Sequence, residues 1–164
     1  MLVRGGAGAV GSCAVQLARR AGARVIATVR SAHDEGVASR AGAHAVVRTD
    51  GVSTDEVVRR VRTLATEGVG HVVEVAFDAN VTADTELLAV GGSIAADATG
   101  QPRPAVPFWE LLFENVRVFF LGSDDFPTEA KAAAARELNA ALEAKWPGFE
   151  TIQTFALTRR RGRS

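Results

Sequence analysis

The chain has 164 residues with 19 basic and 19 acidic side chains, so its formal charge is zero and gives no global attraction to nucleic acid or to an anionic membrane. That length makes one domain of ordinary size, burying roughly 68–70% of the surface its unfolded chain exposes, with no need of disulfides or a metal. One cysteine excludes an internal disulfide framework and a cysteine-based zinc cluster, and no apolar run approaches the roughly 20 residues that span a bilayer.

No basic segment leading into an apolar stretch and a cleavage site opens the chain, so a cytoplasmic protein without a membrane or nucleic-acid partner is expected. The seventeen arginines against two lysines, and the thirty alanines, read as coding bias without functional content.

Strand and helix signals alternate from the first residue. Leu2-Val3-Arg4 is an abrupt apolar start that runs into Gly5-Gly6-Ala7-Gly8-Ala9-Val10-Gly11. Val10, Cys13, Ala14, Leu17, Ala18 and Ala21 then recur at helical spacing, with Gly22 where a helix ends. Arg24 to Val29 is β-branched and apolar without alternation, as a strand buried on both faces should be. A short helix follows from Asp34 to Ala41, closed by Gly42, and Ala45-Val46-Val47 is the third strand.

Ser53 and Glu56 form a capping-box signature ahead of a helix whose apolar face is Val57, Val61, Leu64 and Ala65. His71 to Phe77 reads as the fourth strand. A helical turn through Leu87-Leu88 then leads past Gly91-Gly92 to a fifth, Ser93 to Ala96. Val106 to Glu114 is a short aromatic-rich helix and Arg117 to Leu121 a sixth strand. Pro127 starts a last helix, with Ala134, Leu138 and Leu142 facing inward, that stops before Trp146-Pro147-Gly148. Six βα repeats with short loops imply a doubly wound α/β domain with a parallel sheet in the order 3-2-1-4-5-6, a Rossmann fold over residues 1–150.

Gly6, Gly8 and Gly11 match G-x-G-x-x-G, in the strand–loop–helix context that gives the pattern its meaning. Gly6 is expected to allow the tight turn, Gly8 to admit a pyrophosphate against the backbone, and Gly11 to let helix and strand pack closely. The helix start, with Ala9 and Val10, offers N–H groups and partial positive charge to phosphates. Beyond the second strand no carboxylate occupies the position that would take the ribose hydroxyl of NAD. The region is Thr28-Val29-Arg30-Ser31, and the first acid is Asp34. Arg30 and Ser31 suit a 2′-phosphate instead, which favours NADPH over NADH. A glycine-rich turn without a ligand and a solvated Arg30 are the plainer alternatives.

His33, His44 and His71 lack metal-ligand spacing, so no metal is expected. Cys13 reads as a small packing residue rather than a nucleophile. Asp78 and Asp97 fall at the carboxyl ends of strands four and five, where acids cap loops more often than they catalyse.

The run Gly5 to Gly11 followed by Ala14-Val15-Gln16-Leu17-Ala18 resembles the cofactor domain of the medium-chain dehydrogenase/reductases, in the zinc-free quinone oxidoreductase (zeta-crystallin-like) branch. Arg20-Ala21-Gly22-Ala23, Ala41-Gly42-Ala43, Gly91-Gly92-Ser93-Ile94, Pro107-Phe108-Trp109 and Asn115-Val116-Arg117 continue the resemblance to about residue 150. It implies NADPH-dependent hydride transfer to a quinone or enone. The nicotinamide would be flanked by Ala76-Phe77, Ala98-Thr99 and Leu121-Gly122. No general acid is identified. It also implies a homodimer paired through the edge strand Val116–Leu121; a helix or tail covering that edge is the alternative.

Three departures accompany it. The GroES-like domain that precedes the cofactor domain in this family is absent from the chain, and no tyrosine follows the third strand to hold the 2′-phosphate end. After Leu157 the pattern breaks into Thr158-Arg159-Arg160-Arg161-Gly162-Arg163-Ser164. Residues 151–164 read as a frameshifted or truncated gene end, with a disordered tail and a nucleic-acid contact as alternatives. The last is disfavoured by the lack of interleaved aromatics. A dinucleotide-binding module or truncated product without turnover of its own is therefore the competing reading of function.

Overall fold

The computed structural model describes residues 1–146 and Gly148. They fall into two compact units, one spanning Met1–Asp125 and a second beginning at Phe126. The tail from residue 151 lies outside the described residues.

In the first unit the chain runs β1 (Leu2–Val3), α1 (Ala9–Arg20), β2 (Ile26–Val29), α2 (Ala32–Arg40), β3 (Ala45–Arg48), α3 (Thr54–Leu64), β4 (Val69–Glu74), α4 (Phe77–Leu87), β5 (Leu88–Ala96), α5 (Phe108–Phe113) and β6 (Arg117–Phe120). A 3-10 turn at Ser123–Asp125 closes it. The strands form one parallel sheet in the order β3-β2-β1-β4-β5-β6, as the alternating pattern implies. β1 lies at the centre, paired to β2 through Leu2–Ile26 and to β4 through Leu2–Val72. The order reverses there, so loops leaving β1 and β4 diverge to opposite faces and open a crevice above the strand ends.

Two apolar layers hold the helices to the sheet. One joins Leu2, Ile26, Val72 and Ile94 to Val57 and Val61 of α3 and Phe77, Val81 and Leu87 of α4. The other joins Val3, Ala27 and Val29 to Val15 of α1 and Ala38 of α2. Ser53 caps α3 by accepting the Glu56 N–H at 3.2 Å, but the Glu56 carboxylate turns outward to Arg59 and Arg60 instead of closing the box. Gly22 and Gly42 carry φ of +81° and +101° where α1 and α2 end.

The structure corrects three expectations about elements. β4 stops at Glu74, and Phe77 is the first residue of an eleven-residue helix, α4, where only a turn near Leu87 is expected. β5 begins at Leu88, before the glycine pair, and its pairing with β4 is irregular between Val69 and His71. In the second unit α6 (Thr128–Glu143) forms as expected, but Ala134, Leu138 and Leu142 are exposed while Ala141 is buried. Apolar letters at helical spacing mark a face, and a run of alanines offers several faces of equal merit.

Candidate functional site

The chain leaves β1 and turns at once into the glycine loop. The left-handed residue is Gly5, at φ +62°, one place before the expected turn at Gly6. Gly6 donates its N–H to the Thr28 carbonyl at 2.9 Å, and a Cβ there would lie 2.7 Å from the Ala27 Cβ, so Gly6 serves the close approach of loop to β2. A Cβ on Gly11 would stand 2.1 Å from the Gly5 carbonyl oxygen, so α1 rests on the loop itself rather than on a strand. Gly8 differs from both: a Cβ would meet the Gly5 carbonyl oxygen at 3.4 Å and otherwise enter open space. Gly8 is also the N-cap of α1, which has no side-chain cap and no acid in its first turn. Its N–H groups at Ala9, Val10 and Gly11 and its positive end are therefore left for whatever lies above the loop.

A cleft of about 580 Å³ lies there. Gly5, Ala7 and Gly8 form one wall, Thr28, Val29 and Arg30 the next, and Val75, Ala76 and Asn80 of the β4–α4 turn the third. Arg30 is exposed at the end of β2, where its side chain can reach the cleft mouth. Ser31 caps α2, its hydroxyl accepting the Asp34 N–H at 3.2 Å, which leaves the hydroxyl hydrogen to donate elsewhere. Asp34 lines the cleft beside Arg30, although sequence position alone placed it beyond the site. The first helical turn brings it back over the strand end. Val52, Thr54 and Val57 complete the floor. In sequence, Val57 reads as core and the other two carry no distinguishing signal.

A second cleft, about 440 Å³, gathers Phe77, Ala98, Thr99, Leu121 and Gly122 beside Asp97 and Phe120. Of the expected flanking residues only Ala76 faces the first cleft instead. Phe77 is buried, its ring edge-on to Phe120 at 5.2 Å, and its N–H donates to the Ala98 carbonyl at 3.0 Å. Asp78 Oδ1 accepts the Gly100 N–H at 2.7 Å and the Thr99 hydroxyl at 3.1 Å. Those donors, Gly100 foremost, hold its carboxyl below the ordinary aspartate range, so Asp78 is an ionised staple on the loop after β5.

Other candidates take no part. Cys13 is half-buried on α1 and burial raises its thiol pKa, which works against a reactive thiolate. His71 pairs with the Ser93 hydroxyl at 2.7 Å, and burial lowers its pKa. Among the described residues no three His, Cys, Asp or Glu side chains gather where a metal could be held, so no residue here is assigned to zinc. Arg48 is turned to Asp50 by a bidentate pair at 2.9 and 2.6 Å.

Sequence reasoning missed a buried ionic cluster beneath the first cleft. Arg4, Glu74 and Asp84 are 5%, 0% and 0% exposed at their side chains, and Arg4 Nε donates to Asp84 Oδ1 at 2.8 Å. The three lie up to eighty positions apart; the parallel register of β1 and β4 sets Arg4 beside Glu74, and α4 brings in Asp84.

A family model described as zinc-binding dehydrogenase matches residues 9–138. No curated protein matches the chain. Among solved structures, a native mycobacterial protein complexed with NADPH is 30% identical, with a TM-score of 0.78 over 88% of this chain and 45% of its own. A mycobacterial quinone oxidoreductase is 29% identical, with a TM-score of 0.75 over the same shares. An NAD-dependent alcohol dehydrogenase is 25% identical, with a TM-score of 0.70 over 88% of this chain and 40% of that one. The chain therefore spans less than half the length of these structures. With most of its length matched by the family model, the chain belongs to the zinc-binding dehydrogenase family, within the medium-chain dehydrogenase/reductases.

Proposed function

We propose that the chain is the cofactor-binding domain of an oxidoreductase, holding NADPH in preference to NADH for hydride transfer to a quinone or enone. The observation that carries the reading is the asymmetry of the glycine loop. Gly6 and Gly11 are filled in by the fold, while Gly8 leaves open space at the uncapped start of α1, on the wall of a cleft. A pyrophosphate fits that position, meeting first-turn N–H groups at Ala9, Val10 and Gly11. The Arg30 guanidinium and the Ser31 hydroxyl would hold the 2′-phosphate, and Val52 and Val57 offer an apolar face to the adenine. The nicotinamide end would enter the second cleft, between Ala76-Phe77, Ala98-Thr99 and Leu121-Gly122.

Bound there, the dinucleotide supplies the hydride; the chain's part is to orient it and exclude water from one face of the ring. Asp78, by tying Thr99 and Gly100 to the start of α4, fixes the loop that forms one side of that cleft. The Asp34 carboxylate shares a wall with Arg30 and opposes a 2′-phosphate, so the preference for NADPH is set by these two side chains against each other. The mycobacterial structure holds NADPH, and the alcohol dehydrogenase is described as NAD-dependent.

A second reading, dinucleotide binding without turnover, is favoured by the exposure of Phe120, 68% accessible beside the second cleft. Calorimetric titration with NADPH and NADH, followed by NADPH oxidation with a simple quinone, separates the readings. Tighter NADPH binding with oxidation supports the enzyme, and binding without oxidation supports the module. Equal or absent binding of both dinucleotides overturns the proposed cofactor preference.

A further inference from the structure

The buried cluster under the first cleft contains two acids and one base. Arg4 follows β1 and is the residue from which the glycine loop departs; its backbone N–H donates to the Val73 carbonyl at 2.9 Å. Glu74 is the last residue of β4. Its Oε1 accepts the Ala76 N–H and the Asn80 side-chain amide, the latter at 3.1 Å, so it shapes the β4–α4 turn. Asp84 reaches in from the middle of α4 and takes the Arg4 guanidinium on Oδ1. The three side chains thus join the glycine-loop wall of the cleft to the Ala76–Asn80 wall.

The donors are not placed to meet both acids if both are ionised. Asp84 Oδ2 and Glu74 Oε2 are buried and accept no hydrogen bond, and Arg4 Nη2, 2.7 Å from the already occupied Asp84 Oδ1, makes no hydrogen bond of its own. Glu74 Oε2 is 3.8 Å from Arg4 Nε, an ionic contact without a hydrogen bond. Two bare carboxylate oxygens at a buried site would cost far more than one proton placed between them, and that proton also makes the group neutral overall.

We infer that Glu74 and Asp84 hold a single proton between them, carried on Asp84 Oδ2 and directed to Glu74 Oε2, and that this neutral cluster is the positioning element that locks the glycine loop to the β4–α4 turn. Glu74 Oε1 then keeps its bonds from Ala76 and Asn80, and the pair of acids sets one negative charge against Arg4. Burial, and next the neighbouring Glu74, push the Asp84 carboxyl well above the ordinary aspartate range against the opposing pull of Arg4. Arg4 and Glu74 are the charged groups that act on it. α3, packed on α4, contributes Val57 and Val61 to the core there, and its Arg62 reaches only the Glu86 carbonyl near the far end of α4.

The unfolded chain loses the Asp84 proton near about pH 3.9, the folded chain only at higher pH. Folding therefore takes up a proton in this window, and stability falls as pH rises through it. Asp84→Asn copies the protonated acid, with an acceptor for Arg4 and an N–H for Glu74.

The test is infrared spectroscopy on the chain carrying isotope-labelled aspartate, at neutral pH, with Asp84→Asn alongside. The expected result is a protonated-carboxyl C=O band in the wild-type chain that Asp84→Asn removes, with denaturant stability kept and its pH dependence across the window flattened. A wild-type chain without the band overturns the inference, as does Asp84→Asn falling in stability as far as Asp84→Ala. Should Asp84→Asn not fold, the wild-type band alone decides. The link to the cleft rests on the proposed cofactor reading and is read separately. Glu74→Ala is expected to raise the NADPH dissociation constant about tenfold, against less than about twofold for Asp84→Asn. Unchanged NADPH binding in Glu74→Ala removes the positioning role and leaves the shared proton standing. No NADPH binding by the wild-type chain removes the cofactor reading without touching the spectroscopic result.

Discussion

Arg30 and Asp34 stand four residues apart on one wall of the cleft, and the balance between them is the sharpest residue-scale consequence of the fold. The β2 tip suggests the proposed 2′-phosphate site in sequence because Arg30 and Ser31 supply charge and a hydroxyl. Asp34 was not, since its approach depends on Ser31 starting a helix that folds the chain back. Arg30→Ala should weaken NADPH by about 10- to 100-fold, the worth of about 1.5–3 kcal/mol for a charge-assisted hydrogen bond, and leave NADH unchanged. Asp34→Asn should strengthen NADPH and not NADH. Calorimetric titration of both variants with both dinucleotides checks the pair; equal losses for NADPH and NADH in Arg30→Ala would remove the 2′-phosphate from its side chain. Arg4, Glu74 and Asp84 were illegible for a different reason. Each is an ordinary charged residue in sequence, and their meaning arises only from burial beside one another.

Among the elements, β2, buried at all four residues, shows in sequence as an unbroken β-branched and apolar run, and five of the six strands are read within a few residues of their observed ends. α4 was hidden because Phe77-Asp78-Ala79-Asn80 follows an apolar strand without a helix-start side chain; the N-cap is Ala76, with no capping hydrogen bond. β6 stands at the edge of the sheet, paired on one side to β5, with Phe119 and Phe120 49% and 68% exposed. Such an edge invites a second strand, and we propose homodimerisation through Val116–Leu121. Val118→Pro, which removes one ladder N–H, should shift a dimer to monomer in sedimentation equilibrium at micromolar concentration. A wild-type chain that is already monomeric there would dismiss the contact.

For the molecule as a whole, the doubly wound topology was readable because strand and helix alternate with short loops, and right-handed crossovers then leave few sheet orders open. What the sequence could not divide was the work within the glycine motif. Three identical letters proved to be one packing contact with β2, one packing contact within the loop, and one opening to a cleft. The measurement that bears most directly on dinucleotide binding compares Gly8→Ala with Gly11→Ala by thermal unfolding and NADPH titration. Gly8→Ala should keep the wild-type Tm, since a Cβ there meets no atom closer than 3.4 Å, and should weaken NADPH at least about tenfold by standing where the pyrophosphate approaches. Gly11→Ala should lower the Tm by several degrees, because its Cβ would lie 2.1 Å from the Gly5 carbonyl oxygen. Undiminished NADPH affinity in a fully folded Gly8→Ala chain would contradict the account.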